Sequence, residues 1–126
     1  MVEAVLALEE RPCDEVGIHF VGLKEICRLH DQYFDDPTST DCISFPIDSS
    51  ESPVNALGDV FVCPYIACKY AEEHHLDPYQ ELTLYVVHGL LHLIGYDDME
   101  EADRAMMRKA EKDHMRYLVK NNLIIA

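Results

Sequence analysis

The segment from Leu82 to Ile94 (Leu-Thr-Leu-Tyr-Val-Val-His-Gly-Leu-Leu-His-Leu-Ile) does most to limit what this chain can fold into. Its apolar residues fall around most of a 3.6-residue helical circumference, the pattern of a helix buried at a domain centre. Asp77-Pro78 supplies the start, an N-cap side chain followed by proline at the first helical position. Gly95 supplies the stop. Two histidines, His88 and His92, sit inside this apolar helix. Burying polar groups without partners is costly, so both need something to bind.

The flanking sequence reads as a mixture of helices and short strands. Residues 1–10 have helical composition, ended by Arg11-Pro12. Val16 to Val21 is β-branched and aromatic and predicts a strand. Leu23 to Tyr33 has helical spacing, followed by a turn-rich stretch to Thr40. Asp41 to Pro46 predicts a short strand, and its proline suits an edge or a strand end. Residues 48–55 form a polar loop, and Gly58 to Cys63 a further strand. Pro64 opens a helix running to about His75. Asp97-Asp98-Met-Glu-Glu101 opens a last helix reaching about Leu118, with acids at its positive end and Asp97 as a cap. The expected fold class is therefore α/β in the α+β sense, a small mixed sheet with helices around one central apolar helix.

At 126 residues, one domain spanning residues 1–126 is expected, with 48% hydrophobic residues to build its core. No apolar run approaches the roughly 18–20 residues of a membrane span. Met-Val-Glu-Ala at the start is no secretory signal, so a cytoplasmic protein without a membrane partner is expected. The five cysteines are odd in number and irregularly spaced, so they predict no disulfide framework. Cys63 and Cys68 form a C-x4-C pair, but without a second such pair both are expected to pack in the core. The formal net charge of −14 argues against non-specific nucleic-acid binding over the whole surface and favours basic partners.

His88 and His92 lie one helical turn apart, so both imidazoles reach one point, the geometry of a helical two-histidine zinc motif. Gly95 lets the chain reverse, and Asp98, six residues after His92, can return beneath the pair as a third ligand; Asp97 competes for that role, and the offset favours Asp98. Two histidines and a carboxylate leave the fourth zinc position for water, which the metal activates. Two core histidines satisfied by hydrogen bonds would show the same spacing; the glycine and acid at their offsets favour one metal ion per chain. Gly89 stands where the protease version of this motif carries its glutamate base, which disfavours peptide hydrolysis. Gly89 is expected instead to let backbone approach the metal or substrate. His19, His30, His74, His75 and His114 read as structural or solvated.

These residues resemble a known family. His88-Gly-x-Leu-His-Leu-x-Gly-Tyr-Asp97 is similar to the signature H-G-x-L-H-L-x-G-Y-D-H of the YbeY family of rRNA maturation factors. Thr40-Asp-Cys-Ile-Ser-Phe-Pro46 resembles that family's T-D-V-L-S-F-P segment, and Gly58-Asp-Val-Phe-Val-Cys63 its G-D-I-x-I-x strand. The resemblance implies a metal-dependent endoribonuclease specific for single strands. It implies a role at the 3′ end of small-subunit rRNA and in ribosome quality control. Its implied partners are single-stranded RNA, the ribosome or ribosomal proteins, with no DNA. It also implies zinc at the end of a central helix. The family's third ligand is histidine where this chain has Asp98, a swap that zinc tolerates and that adds negative charge. The family's Y-R-x-x-D finds its best match at Tyr33-Phe34, so a phosphate-binding arginine is missing. The match begins inside the family's first helix, so its N-terminal strand is expected to be absent.

The expected chemistry is metal-assisted cleavage of RNA phosphodiesters, with Ser44 and Phe45 lining the substrate groove as backbone donors and a stacking ring. Two rivals remain: a non-catalytic ribosome adaptor with a structural metal, and a zinc metalloprotease-like hydrolase.

Overall fold

The computed structural model describes residues 1–10, 15–46, 56–97 and 99–125. The expected helix end at Arg11-Pro12, Cys13, the polar loop 48–55 and Asp98 lie outside them. Eight elements follow in order: α1 (Val2–Leu8), β1 (Glu15–Phe20), α2 (Leu23–Phe34), β2 (Cys42–Pro46), β3 (Ala56–Val62), α3 (Pro64–His74), α4 (Pro78–Leu93) and α5 (Glu101–Lys120). This is the expected mixture of helices and a small mixed sheet.

The strands align in the order β1-β3-β2, with β1 parallel and β2 antiparallel to β3. Pro46 therefore stands on an edge strand, where its missing N–H costs no ladder bond. Opposite side chains on each strand feed two clusters, because the strand repeat is two residues. Val60 and Val62 point to α4 and join Val86, Leu90, Leu91 and Met107, all fully buried. Ile43 points the other way, to Ile26 and Leu29 of α2 and to Cys63.

The central helix is α4, as its composition requires. It packs on β2, β3, α1, α3 and α5. Asp77 caps it by accepting a hydrogen bond from the Tyr79 N–H at 2.9 Å. Its buried Thr83 is satisfied twice: its hydroxyl donates to the Tyr79 carbonyl at 2.7 Å and accepts from the Ile125 N–H at 3.0 Å. That second bond ties the apolar tail to the helix. Among the described residues no helix is long and apolar enough to cross a membrane.

Three local expectations change. Cys63 is fully buried, but Cys68 lies exposed on α3, because α3 packs on α4 through one face, that of the buried Ala67 and Ala71. The last helix begins at Glu101 with Glu100 in the N-cap position. Asp97 is not that cap: its carboxylate accepts from the Met99 N–H at 3.2 Å, closing a local turn before the helix.

Candidate metal centre

Helix α4 delivers His88 and His92 to one face, with their Nε2 atoms 3.0 Å apart and the rings edge to face. Each ring is held from behind. The His88 Nδ1 meets the Glu111 carboxylate of α5 at 2.7 Å. The His92 Nδ1 donates to the Tyr96 carbonyl at 3.1 Å, just past the helix end. Gly95, at φ +112°, makes the reversal that brings this carbonyl back.

A carbonyl can only accept, so His92 carries its proton on Nδ1, and the Glu111 carboxylate selects the same tautomer for His88. Both Nε2 lone pairs then face one another, an arrangement that needs a shared proton or a cation. Imidazoles oriented by a carboxylate and a backbone carbonyl are the usual support of a metal ligand pair. The donor chemistry therefore fits a divalent metal. Among the described residues, no group of three His, Cys, Asp or Glu side chains converges on such a point. Asp98, the expected third ligand, is outside the described residues.

Glu111 is the residue that sequence reading missed. It is almost wholly buried, yet ionised: burial pushes its carboxyl up, but hydrogen bonds from His88 and Arg108 and the Arg108 charge hold it below the ordinary range. The Arg108 Nη1 donates to both its oxygens at 2.6 and 2.7 Å. The available signal was an acid sharing the buried face of α5 with Met107, Ala110 and His114. Tyr96 is braced in turn. Its hydroxyl donates to the Glu9 carboxylate at 3.2 and 3.1 Å, and Glu9 also pairs with the buried His114 Nε2 at 2.6 Å.

The histidine pair opens on a cavity of about 410 Å³, also lined by His30, Phe34, Thr40 and Ser44. Among the described residues, no lysine or arginine lines it. Ser44 reaches it from β2, and its hydroxyl donates to the Gly89 carbonyl at 2.9 Å. Phe45, the next residue, points to the other side of the sheet, against Tyr33, Phe34 and Phe61. The strand alternation separates the two residues that the sequence placed together in a groove. His30, expected to be structural or solvated, lies on the cavity wall with its Nδ1 2.9 Å from the Thr38 carbonyl. Its i,i+4 spacing from Phe34 was the clue, since it puts both on one helix face. Cys42 also lines the cavity, and burial, with the Asp41 charge beside it, pushes its thiol up to about 12.

Gly89 has a different use from the one expected. A Cβ there would collide with the Val60 side chain and come within 2.8 Å of the Cys42 Sγ. Its hydrogen lets α4 lie directly on the sheet, and this close approach sets the height of the histidines above Ser44.

Known proteins share this arrangement of elements. The family model described as endoribonuclease YbeY matches residues 1–119. A protein of Protochlamydia amoebophila named Endoribonuclease YbeY is 56% identical over 126 residues, covering 99% of this chain and 84% of that protein. The protein of the same name from Chlamydia muridarum is 35% identical over 128 residues, covering 99% of this chain and 80% of its own length. The solution structure of TM1509 from Thermotoga maritima is similar with a TM-score of 0.65 and 29% identity, covering 90% of this chain and 73% of that one. The chain belongs to the endoribonuclease YbeY family.

Proposed function

We propose that this chain is a single-domain, metal-dependent endoribonuclease that cuts single-stranded RNA during ribosomal RNA maturation in the cytoplasm. The observation that carries it is the His88–His92 pair, with converging Nε2 atoms and both Nδ1 atoms occupied from behind. In this reading His88 and His92 hold one zinc ion, and Asp98 completes the protein ligands. A bound ion of this kind polarises a phosphoryl oxygen and brings the pKa of its water toward neutrality. Asp98 in place of a neutral ligand makes the centre less electrophilic and favours harder cations such as manganese.

The chain's own residues supply orientation. Glu111 and the Tyr96 carbonyl fix the imidazoles. Ser44 holds β2 against α4 at Gly89, and its hydroxyl oxygen keeps acceptor capacity toward the cavity. Gly89, in place of a glutamate base, sets this chemistry apart from peptide hydrolysis. A second reading, a ribosome-bound adaptor with a structural metal, is favoured by the net charge of −14 and by a cavity lining that, among the described residues, holds no lysine or arginine.

The test is metal analysis of untagged protein, followed by cleavage of single-stranded RNA with zinc or manganese. Wild type binds one ion and cuts. His92→Ala loses both while keeping its helical circular dichroism. Protein that carries no metal sinks the site, and protein that binds metal but cuts no RNA leaves the adaptor.

A further inference from the structure

The face of the sheet turned away from α4 carries a continuous run of aromatic rings. His19 of β1 stacks on Phe61 of β3 with centroids 4.5 Å apart and planes at 16°. Phe61 meets Phe45 of β2 at 5.7 Å. Phe45 meets Tyr33 at 4.8 Å and Phe34 at 6.4 Å, both at the end of α2. Phe34 meets His30 at 5.6 Å. Phe45 and Phe61 lie half-buried against the Ile26, Leu29, Ile43 and Cys63 cluster, and the run opens to water at the end of α2. Tyr33 and Phe34 are 57% and 55% exposed, while α2 buries Ile26 and Leu29 instead.

Two observations say what occupies it. The run is continuous with the histidine cavity, because His30 and Phe34 belong to both. Among the described residues, the cavity lining also offers no lysine or arginine to phosphate, in a chain of net charge −14. A strand of RNA entering this cavity meets π-faces where it would ordinarily meet cations. Base–aromatic stacking needs no protein charge and accepts every base.

We infer that the rings of Phe34, Tyr33, Phe45, Phe61 and His19 form a base-stacking track, entered at Phe34, that holds single-stranded RNA leading out of the His88–His92 cavity. This rests on the ribonuclease reading of that cavity. The exposed Asp35 and the half-buried Asp36 and Asp59, the last paired with His19 at 2.9 Å, repel phosphate beside the track, so the bases face the protein and the backbone faces water. Binding through such a track is only weakly salt-dependent, since few counterions are released.

The experiment measures binding of a fluorescein-labelled eight-nucleotide single-stranded RNA across a salt series, in the zinc-loaded protein and with calcium in place of zinc to slow cleavage. Wild type binds with a shallow salt slope. Phe34→Leu and Tyr33→Leu, which keep apolar bulk and remove the ring, each weaken binding about 5- to 150-fold without changing that slope. Phe34→Arg steepens the slope by about 0.7, the signature of one added phosphate contact. Thermal melts of all three match wild type. If wild type cuts RNA and both leucine variants bind as tightly as wild type, the track is overturned and the ribonuclease stands; rings that dock a protein partner give this same result. A wild-type slope as steep as several phosphate contacts require also overturns it. Wild type that neither binds nor cuts RNA overturns the ribonuclease reading, and the track with it.

Discussion

The two faces of the three-stranded sheet are built for different work. On one, α4 lies so close that Gly89 admits no methyl group, and Val60, Val62, Val86, Leu90 and Leu91 of the cluster it forms with the sheet are fully buried. On the other, α2 covers only part of the surface and leaves aromatic rings half in water. The closed face fixes two imidazoles to within a hydrogen bond of each other. The open face fixes nothing so tightly and presents broad apolar planes. A hydrolytic site needs both properties, rigid ligands for the reacting atoms and a tolerant surface for the rest of a polymer. The two meet at His30 and Phe34, which belong both to the histidine cavity and to the ring run.

The contrast breaks most severely at Leu90, which is fully buried on α4 in the core cluster that includes Val60 and Val62. Leu90→Ala should cost about 2–5 kcal/mol, since a close-packed interface cannot collapse around the void. Denaturant unfolding measures it, and a loss below about 1 kcal/mol would mean that the closed face is loosely packed.

Gly89→Ala is the finer probe of the same face. Alanine gains about 1 kcal/mol over glycine in helix propensity, so on an open helix it stabilises. Here its methyl meets Val60, a stiff β-branched residue, and the Cys42 Sγ at 2.8 Å. Overpacking of this kind costs about 1–3 kcal/mol, and the net melting shift should be downward. An upward shift would show that α4 stands off the sheet. The same displacement moves His88, so RNA cleavage should fall further than stability alone explains.

Glu111→Gln leaves the packing intact and removes only the charge behind His88. Metal affinity should drop about 10- to 100-fold, read by chelator competition, because the imidazole loses the partner that orients it and raises its basicity. An unchanged affinity would mean that the 2.7 Å contact is a by-product of helix packing.

Much of this was legible in the sequence, and what was not has a common cause. The central helix, its Asp77 cap, the edge position of Pro46 and the pairing of His88 with His92 follow from local chemistry, which the chain states within a few residues. Sequence spacing also separated this site from a protease, through Gly89. The support behind the histidines was not legible. Glu111 lies 23 residues from His88 and Glu9 lies 87 from Tyr96, and no local rule links residues so far apart. Ser44 and Phe45 are parted for the opposite reason. They are adjacent in sequence, but strand alternation sends one to each face. The reason for Gly89 was equally hidden, because its neighbours Val60 and Cys42 arrive from two other strands.

The smallest expected effects test the comparison most directly. Ser44→Ala removes a part-buried hydrogen bond between β2 and α4, from the hydroxyl to the Gly89 carbonyl at 2.9 Å. Its net worth is about 0.5–1.5 kcal/mol. Tyr33→Leu removes a larger group from the open face, yet its ring is 57% exposed and little burial is lost. A surface change of this kind moves stability by within about 0.5 kcal/mol. The deletion of one oxygen should therefore cost more than the deletion of a phenol ring. Side-by-side urea unfolding of the two variants decides it. If Tyr33→Leu proves the more damaging, the rings on the α2 side are a second core, and they are not free to receive bases.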